Sequence, residues 1–112
     1  MSTVLLVDDD ELVRRVVAEA LETAGHRVLA VSDAPAALAV DEPFEVAIVD
    51  VHLGNHRCSP LGEELRRRHR DVRVIAMSGL PDESGYSFAD AVLAKPFAFN
   101  ELYAAVERLT AH

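Results

Sequence analysis

Five short apolar runs, rich in Val, Ile and Leu, recur along the chain and are separated by longer segments with helical periodicity. The runs are continuous rather than alternating, which is typical of strands that are covered on both faces. We therefore predict strands at residues 3–7, 27–31, 45–49, 72–77 and 90–94. The resulting order, βαβαβαβαβα, indicates an α/β fold with parallel strands and helices on both faces of the sheet.

The segments between the runs differ in how strongly they predict helices. The first one carries an apolar stripe at helical spacing, formed by Leu12, Val13, Val16, Val17, Ala20, Leu21 and Ala24. Asp10 is a suitable N-cap for this helix, and Gly25 is suited to its C-terminal end. The C-terminal segment carries a similar stripe, formed by Phe99, Leu102, Val106 and Leu109.

Shorter helices are expected at residues 34–41 and 60–69, and residues 82–88 leave room for little more than one turn. We expect the stretch from Leu53 to Pro60 to be irregular, because it contains several loop-forming residues. No linker or repeat divides the chain, so its 112 residues are expected to form one domain, 1–112.

Composition excludes several classes of partner and compartment. The net charge is -8, with 19 acidic residues against 11 Lys and Arg, which argues against direct nucleic-acid binding. The basic run at residues 66–70 is interpreted as a solvated helix end, where cations complement the helix dipole. Cys58 is the only cysteine, and neither a signal peptide nor a membrane span is evident. We therefore expect a cytoplasmic protein without a membrane partner.

Polar groups follow four of the five apolar runs. Asp8 and Asp9 follow the first, Asp50 the third, Ser78 the fourth and Lys95 the fifth. The C-terminal ends of parallel strands share one edge of a sheet, where ligands bind. If the strand order is 2-1-3-4-5, the first and third strands are neighbours, and their carboxylates face each other.

Three carboxylates in one crevice repel each other unless a cation neutralises them, and Mg²⁺ (or Mn²⁺) prefers such oxygen ligands. With the charge neutralised, Asp50 could act as a nucleophile and become an aspartyl phosphate. Lys95 and Ser78 could then contact the new phosphoryl oxygens. The same polar groups also have simpler interpretations, because Asp8 to Glu11 could be an acidic helix start and Ser78 a turn residue.

Over its whole length the chain resembles a bacterial response-regulator receiver domain (CheY-like). Four segments carry the resemblance: Val7-Asp8-Asp9-Asp10, Val49-Asp50, Met77-Ser78-Gly79 and Lys95-Pro96-Phe97. The resemblance implies a flavodoxin-like, doubly wound, five-stranded parallel sheet with strand order 2-1-3-4-5.

The resemblance also implies roles for the strand-end residues. Asp50 would accept a phosphoryl group from a sensor histidine kinase or a phosphotransfer protein, and Ser78 and Lys95 would hold that group. Asp8, Asp9, Asp50 and the backbone carbonyl of His52 would bind the metal. The Lys95–Pro96 peptide bond is expected to be cis. Such a domain catalyses only its own phosphotransfer and dephosphorylation, signals to an unknown downstream protein, and is a monomer or a weak homodimer through its last strand and helix.

The chain departs from the family pattern where receivers usually report phosphorylation. Val92 occupies the position of the switch aromatic. The fourth helix is expected to be short or missing, and helix two is expected to be trimmed by about a turn. Short fourth-helix receivers resemble those attached to hybrid sensor kinases. Gly54 replaces the usual proline after the third strand. We therefore expect the loop at residues 79–90 and the loop after the third strand to carry the conformational change.

Other interpretations of the sequence remain open. The chain could be a pseudo-receiver, which keeps the fold but binds proteins without phosphorylation. It could be a small phosphatase with an aspartate nucleophile, although His52 occupies the position of the second acid that such enzymes need. His52, His56 and Cys58 could form a zinc site, although their spacing matches no standard pattern. A flavin site is weaker still, because no Ser/Thr-rich phosphate loop follows the first strand.

Overall fold

A central sheet with helices on both faces is built from the apolar runs. The computed structural model describes residues 2–50, 52–53, 56–57, 59–78 and 89–110. In chain order the elements are β1 (Thr3–Val7), α1 (Glu11–Thr23), β2 (Arg27–Val31), α2 (Ala34–Leu38), β3 (Val46–Asp50), β4 (His52–Leu53), β5 (His56–Arg57), α3 (Ser59–Arg68), β6 (Arg73–Ser78), β7 (Ala91–Ala94) and α4 (Phe99–Thr110).

The sheet is parallel and has the strand order β2-β1-β3-β6-β7, which confirms the predicted order 2-1-3-4-5. The first two strands have the predicted bounds, and the other three begin one residue later than predicted. β3 and β6 also end one residue later, because Asp50 still pairs with Met77 and Ser78 still pairs with Ala94. Two of the candidate site residues are therefore the last residues of strands rather than the first residues of loops.

The ends of α1 form as the sequence predicts. Asp10 Oδ1 accepts hydrogen bonds from the backbone N–H groups of Leu12 (2.9 Å) and Val13 (3.3 Å), which is the bonding pattern of an N-cap. Gly25 follows the helix with a φ of +97°, a value that residues with a side chain rarely adopt. α2 ends at Leu38 rather than at residue 41, so this helix is shorter than predicted.

Two apolar layers pack on the sheet, one on each face. Leu5, Ala47 and Val49 point into the layer under α2 and α3, and Leu6, Ile48 and Ile75 into the layer under α1 and α4. β3 is buried along its whole length because it is the middle strand. This arrangement confirms the expectation that helices cover both faces of the sheet.

The two predicted apolar stripes are wider than the surfaces that they bury. Val17 and Leu21 of α1 and Leu102 and Val106 of α4 are buried. Leu12 is 66% exposed, Val16 39% and Phe99 48%. These three lie toward the helix N-termini or on the outer margin of the stripe, beyond the area that the sheet covers.

The expectation of an irregular stretch from Leu53 to Pro60 is wrong. β4 and β5 pair antiparallel, with His52 opposite Arg57 and Leu53 opposite His56. α3 then begins at Ser59, and Pro60 is in its first turn, where proline is tolerated. The pairing is only two residues long, too short for a period-two pattern to indicate it.

Some expectations concern residues outside the described ranges. These expectations are the role of Gly54, the helical turn at 82–88, the short or missing fourth helix and most of the loop at 79–90. Within the described ranges, no helix is long and apolar enough to cross a bilayer.

The basic run makes contacts beyond its own helix that its interpretation as a solvated helix end did not include. Arg67 and Arg68 are exposed and pair with Glu64 of the same helix. Arg66 reaches instead from α3 to Asp90, where its Nη1 lies 2.6 Å from Oδ2. The run therefore also ties α3 to the start of β7.

Candidate functional site

The acidic residues after β1 divide into two roles. Asp8 is fully buried, and its Oδ1 accepts a hydrogen bond from the Asp10 backbone N–H at 2.9 Å. Asp9 is exposed. Asp10 points its carboxylate at the first turn of α1 and serves as the N-cap. Asp8 and Asp9 are therefore the acids of this loop that face the site, while Asp10 is occupied by the helix.

Asp50 comes to the same edge from the neighbouring strand. It is the last residue of β3 and is only 7% exposed. Val7 of β1 pairs with Val49, so the residues after these two lie side by side. One carboxylate oxygen from each of Asp8, Asp9 and Asp50 lies within 4.8 Å of the other two. This acidic cluster is compatible with a divalent metal ion, because hard cations prefer several carboxylate oxygens.

Lys95 brings a positive charge to the cluster from the C-terminal end of β7, the outermost strand on one side of the sheet. It follows β7, and its Nζ lies 3.2 Å from Asp8 Oδ2 and 3.3 Å from Asp50 Oδ2. The Lys95 backbone N–H also donates to the Ser78 carbonyl at 2.7 Å, which continues the ladder between β6 and β7. The Lys95–Pro96 peptide bond is cis, as predicted.

Ser78 is the last residue of β6 and is almost completely buried. Its pairing with Ala94 places it between the end of β3 and the end of β7. The four predicted strand ends therefore meet at one edge of the sheet, with carboxylates, a hydroxyl and an ammonium side by side.

Burial and charge perturb two of these groups in linked ways. Burial raises the pKa of Asp8, and repulsion from Asp50 adds to this, while the Asp10 N–H and the Lys95 ammonium act in the opposite direction. Burial also acts against the charge of Lys95, but the carboxylates of Asp50 and Asp8 outweigh it and raise the pKa of Lys95 above its usual value. The lysine therefore stays protonated. The Asp10 N–H and the Lys95 ammonium offset only part of the cost of burying the negative charge of Asp8.

Two further residues, His52 and Val92, belong to the predicted site. His52 begins β4, two residues after Asp50, and its proposed carbonyl ligand stays a prediction. Val92 is in β7 opposite Ala76 and is 37% exposed. The suggested zinc site falls on Cys58 and on the side chains of His52 and His56, which are outside the part of the chain that the structure describes.

Sequence reasoning did not single out Arg14. Its Nη1 donates a hydrogen bond to the backbone carbonyl of Asp8 at 2.8 Å. The residue lies in α1, six positions after Asp8, and its spacing from the acidic motif alone does not indicate that it folds back onto the strand end. A charged side chain on the margin of the apolar stripe was the one available signal.

The chain is similar in sequence to known proteins. Residues 4–107 match the family model of the response regulator receiver domain. The chain is 34% identical to the sensor histidine kinase AruS of Pseudomonas aeruginosa, over 88% of the chain and 11% of that kinase. It is 26% identical to the response regulator receiver protein CpdR of Brucella abortus, over 97% of both proteins.

Solved structures give the same fold. A CheY-like response regulator receiver domain from Methanospirillum hungatei superimposes with a TM-score of 0.89 at 26% identity, over 97% of this chain and 94% of that one. The first sensor kinases matched are far longer than this chain, which spans about a tenth of their length.

Proposed function

Because the chain belongs to the response regulator receiver domain family of two-component systems, we propose that it is a phosphoacceptor and that Asp50 is the residue phosphorylated. One observation carries this proposal: Asp50 lies at a strand end with a carboxylate oxygen of Asp8 and of Asp9 within 4.8 Å and the Lys95 ammonium 3.3 Å from its Oδ2. A lone buried aspartate would repel a phosphoryl donor, whereas this group of side chains can hold both a cation and an anion.

The proposed reaction transfers a phosphoryl group from a phosphohistidine to Asp50. A carboxylate oxygen of Asp50 attacks phosphorus, the new O–P bond forms, and the N–P bond of the donor breaks. The leaving imidazole keeps the bonding electron pair and takes a proton from solvent. Lys95 already contacts Asp50, so its ammonium can follow the negative charge onto the phosphoryl oxygens. Ser78 would donate its hydroxyl hydrogen to one of these oxygens.

Asp8, Asp9 and Asp50, with the backbone carbonyl of His52, would hold Mg²⁺ or Mn²⁺. Such an ion neutralises negative charge on the carboxylates and on the incoming phosphoryl oxygens. The three carboxylates fit this role, because one hard oxygen ligand from each lies within 4.8 Å of the other two.

The phosphoryl donor is proposed to be a sensor histidine kinase or a phosphotransfer protein, which docks beside the site. An open groove of about 460 Å³ begins at Lys95 and continues between α1 and the segment that leads into α4. Leu12, Val16 and Phe99 expose apolar surface along it. Exposed apolar surface continuous with a reactive group suits a protein donor, whereas a small-molecule donor does not need it.

The Leu12→Ser variant tests this docking surface, because Leu12 is 66% exposed and contributes little to the core. It should accept a phosphoryl group from a small donor at the unsubstituted rate, but more slowly from a purified phosphohistidine-carrying phosphotransfer domain. Equal rates with the protein donor would contradict the surface.

We further propose that residues 1–112 form one receiver domain, which modifies itself and does not turn over other substrates. The downstream protein is proposed to bind the surface of the last strand and helix, where a weak homodimer could also form. A cytoplasmic location agrees with the donor proposed for this site.

A pseudo-receiver is the second candidate, and Val92 favours it. A valine in an exposed position of β7 cannot make the rotation of an aromatic side chain that couples phosphorylation to the surface. This candidate predicts a folded acidic site that takes up no phosphoryl group.

One experiment separates the two candidates. The protein is incubated with acetyl phosphate and Mg²⁺, and its intact mass is measured at acidic pH, where the acyl phosphate survives. We expect a gain of one phosphoryl group that is lost in Asp50→Asn and kept in Asp10→Asn, whose amide can still cap α1. No gain in the unsubstituted chain would favour the pseudo-receiver.

A further inference from the structure

The guanidinium of Arg14 contacts the backbone of the acidic motif rather than any carboxylate. Its Nη1 lies 2.8 Å from the carbonyl oxygen of Asp8. That carbonyl belongs to the residue directly after β1, and the Arg14 side chain supplies a hydrogen-bond donor for it. Since Arg14 is partly exposed, the contact orders a side chain that solvent could otherwise keep mobile.

With this bond, every polar group of Asp8 has a partner. Its N–H donates to the Val31 carbonyl at 3.2 Å, and its Oδ1 accepts from the Asp10 N–H at 2.9 Å. Its Oδ2 accepts from Lys95 at 3.2 Å, and its carbonyl accepts from Arg14. Asp8 is therefore fixed at the backbone and at the carboxylate alike.

The carbonyl of Asp8 belongs to the peptide unit that joins Asp8 to Asp9. A peptide unit is planar, so fixing its oxygen fixes the orientation of the plane and the direction in which the Asp9 Cα leaves. The exposed Asp9 has no comparable burial to restrict it. The arginine contact thus restricts where the Asp9 carboxylate can lie relative to Asp8 and Asp50.

We propose that Arg14 is a positioning residue for divalent-metal binding, which holds the Asp8–Asp9 peptide so that the Asp9 carboxylate joins those of Asp8 and Asp50. The proposal rests on the metal site of the proposed function. Arg14 touches neither the metal nor the reacting groups. Outer partners of metal ligands commonly tune affinity in this way.

The charge of Arg14 acts in the opposite direction to its hydrogen bond. A cation close to an acidic cluster repels Mg²⁺, so loss of the charge alone would tighten binding. Loss of the hydrogen bond would loosen it, because the free site becomes less ordered. The sign of the change in affinity therefore distinguishes positioning from a charge effect.

Arg15 provides a matched control on the same helix. It carries the same charge, its side chain is 70% exposed, and it forms an ion pair with Glu11 of the same helix. Arg14→Met and Arg15→Met each remove one positive charge and keep a long apolar stem. They differ in that Arg14→Met also removes the hydrogen bond to Asp8.

Mg²⁺ affinity is measured by titrating each folded protein with MgCl₂ and following amide NMR shifts. The titration is done at about 0.01 M and at about 0.5 M ionic strength, between which the Debye length falls from about 30 Å to about 4 Å and charge effects are screened. Arg14→Met should bind Mg²⁺ about tenfold more weakly than the unsubstituted chain at both salt concentrations, the lower end of the range for outer partners. Arg15→Met should bind with unchanged or slightly higher affinity. The metal-free spectrum should show a shift of the Asp9 amide nitrogen in Arg14→Met alone.

Equal or tighter Mg²⁺ binding by Arg14→Met, relative to Arg15→Met, would overturn the proposal for Arg14 and leave the metal site intact. An unmoved Asp9 amide would overturn it as well, because the peptide would then not depend on the arginine. Absence of Mg²⁺ binding by the unsubstituted chain would instead overturn the metal site of the proposed function, and this inference with it.

Discussion

The ammonium of Lys95 lies 3.2 Å from Oδ2 of Asp8, although 87 positions separate the two residues in the chain. The same Nζ lies 3.3 Å from Oδ2 of Asp50. The ammonium therefore links the C-terminal end of β7 to the C-terminal ends of β1 and β3. Its charge compensates carboxylates that the fold otherwise brings together at a cost.

Lys95→Met should destabilise the metal-free protein at neutral pH, because it leaves two buried carboxylates without their cation. The loss should be on the order of 2 kcal/mol, below the value for a fully buried pair since Lys95 is partly exposed. Urea unfolding followed by circular dichroism measures it. The raised pKa of Lys95 makes its contribution persist up to about pH 10.5 and fade as pH rises through the folded-state value. An unchanged midpoint at pH 7 would contradict the role of Lys95.

Asp8→Asn should have the opposite effect and stabilise the metal-free protein at pH 7. Burial raises the pKa of Asp8 above its ordinary value of 3.8. Between the ordinary and the raised pKa, the folded state therefore keeps a proton that the unfolded state has released. The ionised carboxylate therefore costs stability once the pH exceeds about 3.8, and the cost grows until the folded-state pKa is passed.

The expected gain for Asp8→Asn is about 1 kcal/mol at pH 7, the lower end of the penalty for a buried polar group that is incompletely compensated. The difference in unfolding free energy between Asp8→Asn and the unsubstituted chain should vanish near pH 3, where both carry a neutral side chain. Saturating MgCl₂ should stabilise the unsubstituted chain more than the variant. A variant that is less stable at pH 7 would show that Asp8 is fully compensated.

A further carboxylate, that of Asp90, stabilises the opposite end of the sheet. Its Oδ2 accepts from the Val74 backbone N–H at 2.8 Å and from Arg66 at 2.6 Å. Its own N–H donates to the Val74 carbonyl at 2.7 Å. One residue therefore joins α3, β6 and the start of β7.

Asp90→Ala should lower the free energy of unfolding by about 2 to 3 kcal/mol, since it removes the acceptor of the Val74 N–H and a charged partner of Arg66. Asp90→Asn should lose less, because its amide oxygen can still accept from Val74. Arg67→Ala is the control, because it removes only an exposed ion pair with Glu64 and should change the free energy of unfolding much less than Asp90→Ala does. Similar losses in Asp90→Ala and Arg67→Ala would refute the role of Asp90.

The backbone conformation at position 25 requires glycine, whereas the space around it would admit a side chain. The φ of Gly25 is +97°, and an added Cβ would meet no atom within 4 Å. Gly25→Ala should therefore cost about 1 to 2 kcal/mol, the conformational penalty of the left-handed region for a residue with a Cβ. Gly25→Asn should cost less. Thermal unfolding measures both, and an alanine variant as stable as the glycine protein would show that the turn relaxes to a negative φ.

The sequence predicted the strands well because each is a continuous apolar run, and a strand between two helical layers must be apolar on both faces. The position of the site followed from the same fact, since strand ends of one sheet converge. The resemblance, rather than the apolar pattern, provided the order in which the strands lie.

Features that depend on contacts between distant residues were missed. Arg14 and Asp90 look like ordinary surface charges in the sequence, and their roles come from a carbonyl after β1 and an N–H of β6 that only the folded chain places beside them. Leu12 and Val16 fit a helical stripe by spacing, yet the sheet ends before it reaches them. Periodicity reports which side of a helix is apolar, but not how far its neighbour extends.

The acidic motif itself yields a prediction that separates metal binding from helix capping. Asp9 contributes an oxygen to the cluster, whereas Asp10 bonds to the N–H groups of Leu12 and Val13. Asp9→Asn should lower Mg²⁺ affinity by at least about tenfold, because it removes a charged ligand, and should leave the thermal midpoint of the metal-free protein unchanged or higher. Asp10→Ala should do the reverse: a loss of about 1 kcal/mol of stability from the missing cap, with a smaller change in Mg²⁺ affinity.

Both variants carry one negative charge less than the unsubstituted chain, so the comparison holds the net charge of the loop constant. Removing Mg²⁺ with EDTA should abolish phosphorylation by acetyl phosphate in the unsubstituted chain and in Asp10→Ala alike, and Asp9→Asn should already be slow in the presence of Mg²⁺. An equal loss of Mg²⁺ affinity in Asp10→Ala and Asp9→Asn would contradict this division of roles. It would require the Asp10 carboxylate to bind the metal, although two hydrogen bonds hold that carboxylate at the start of α1.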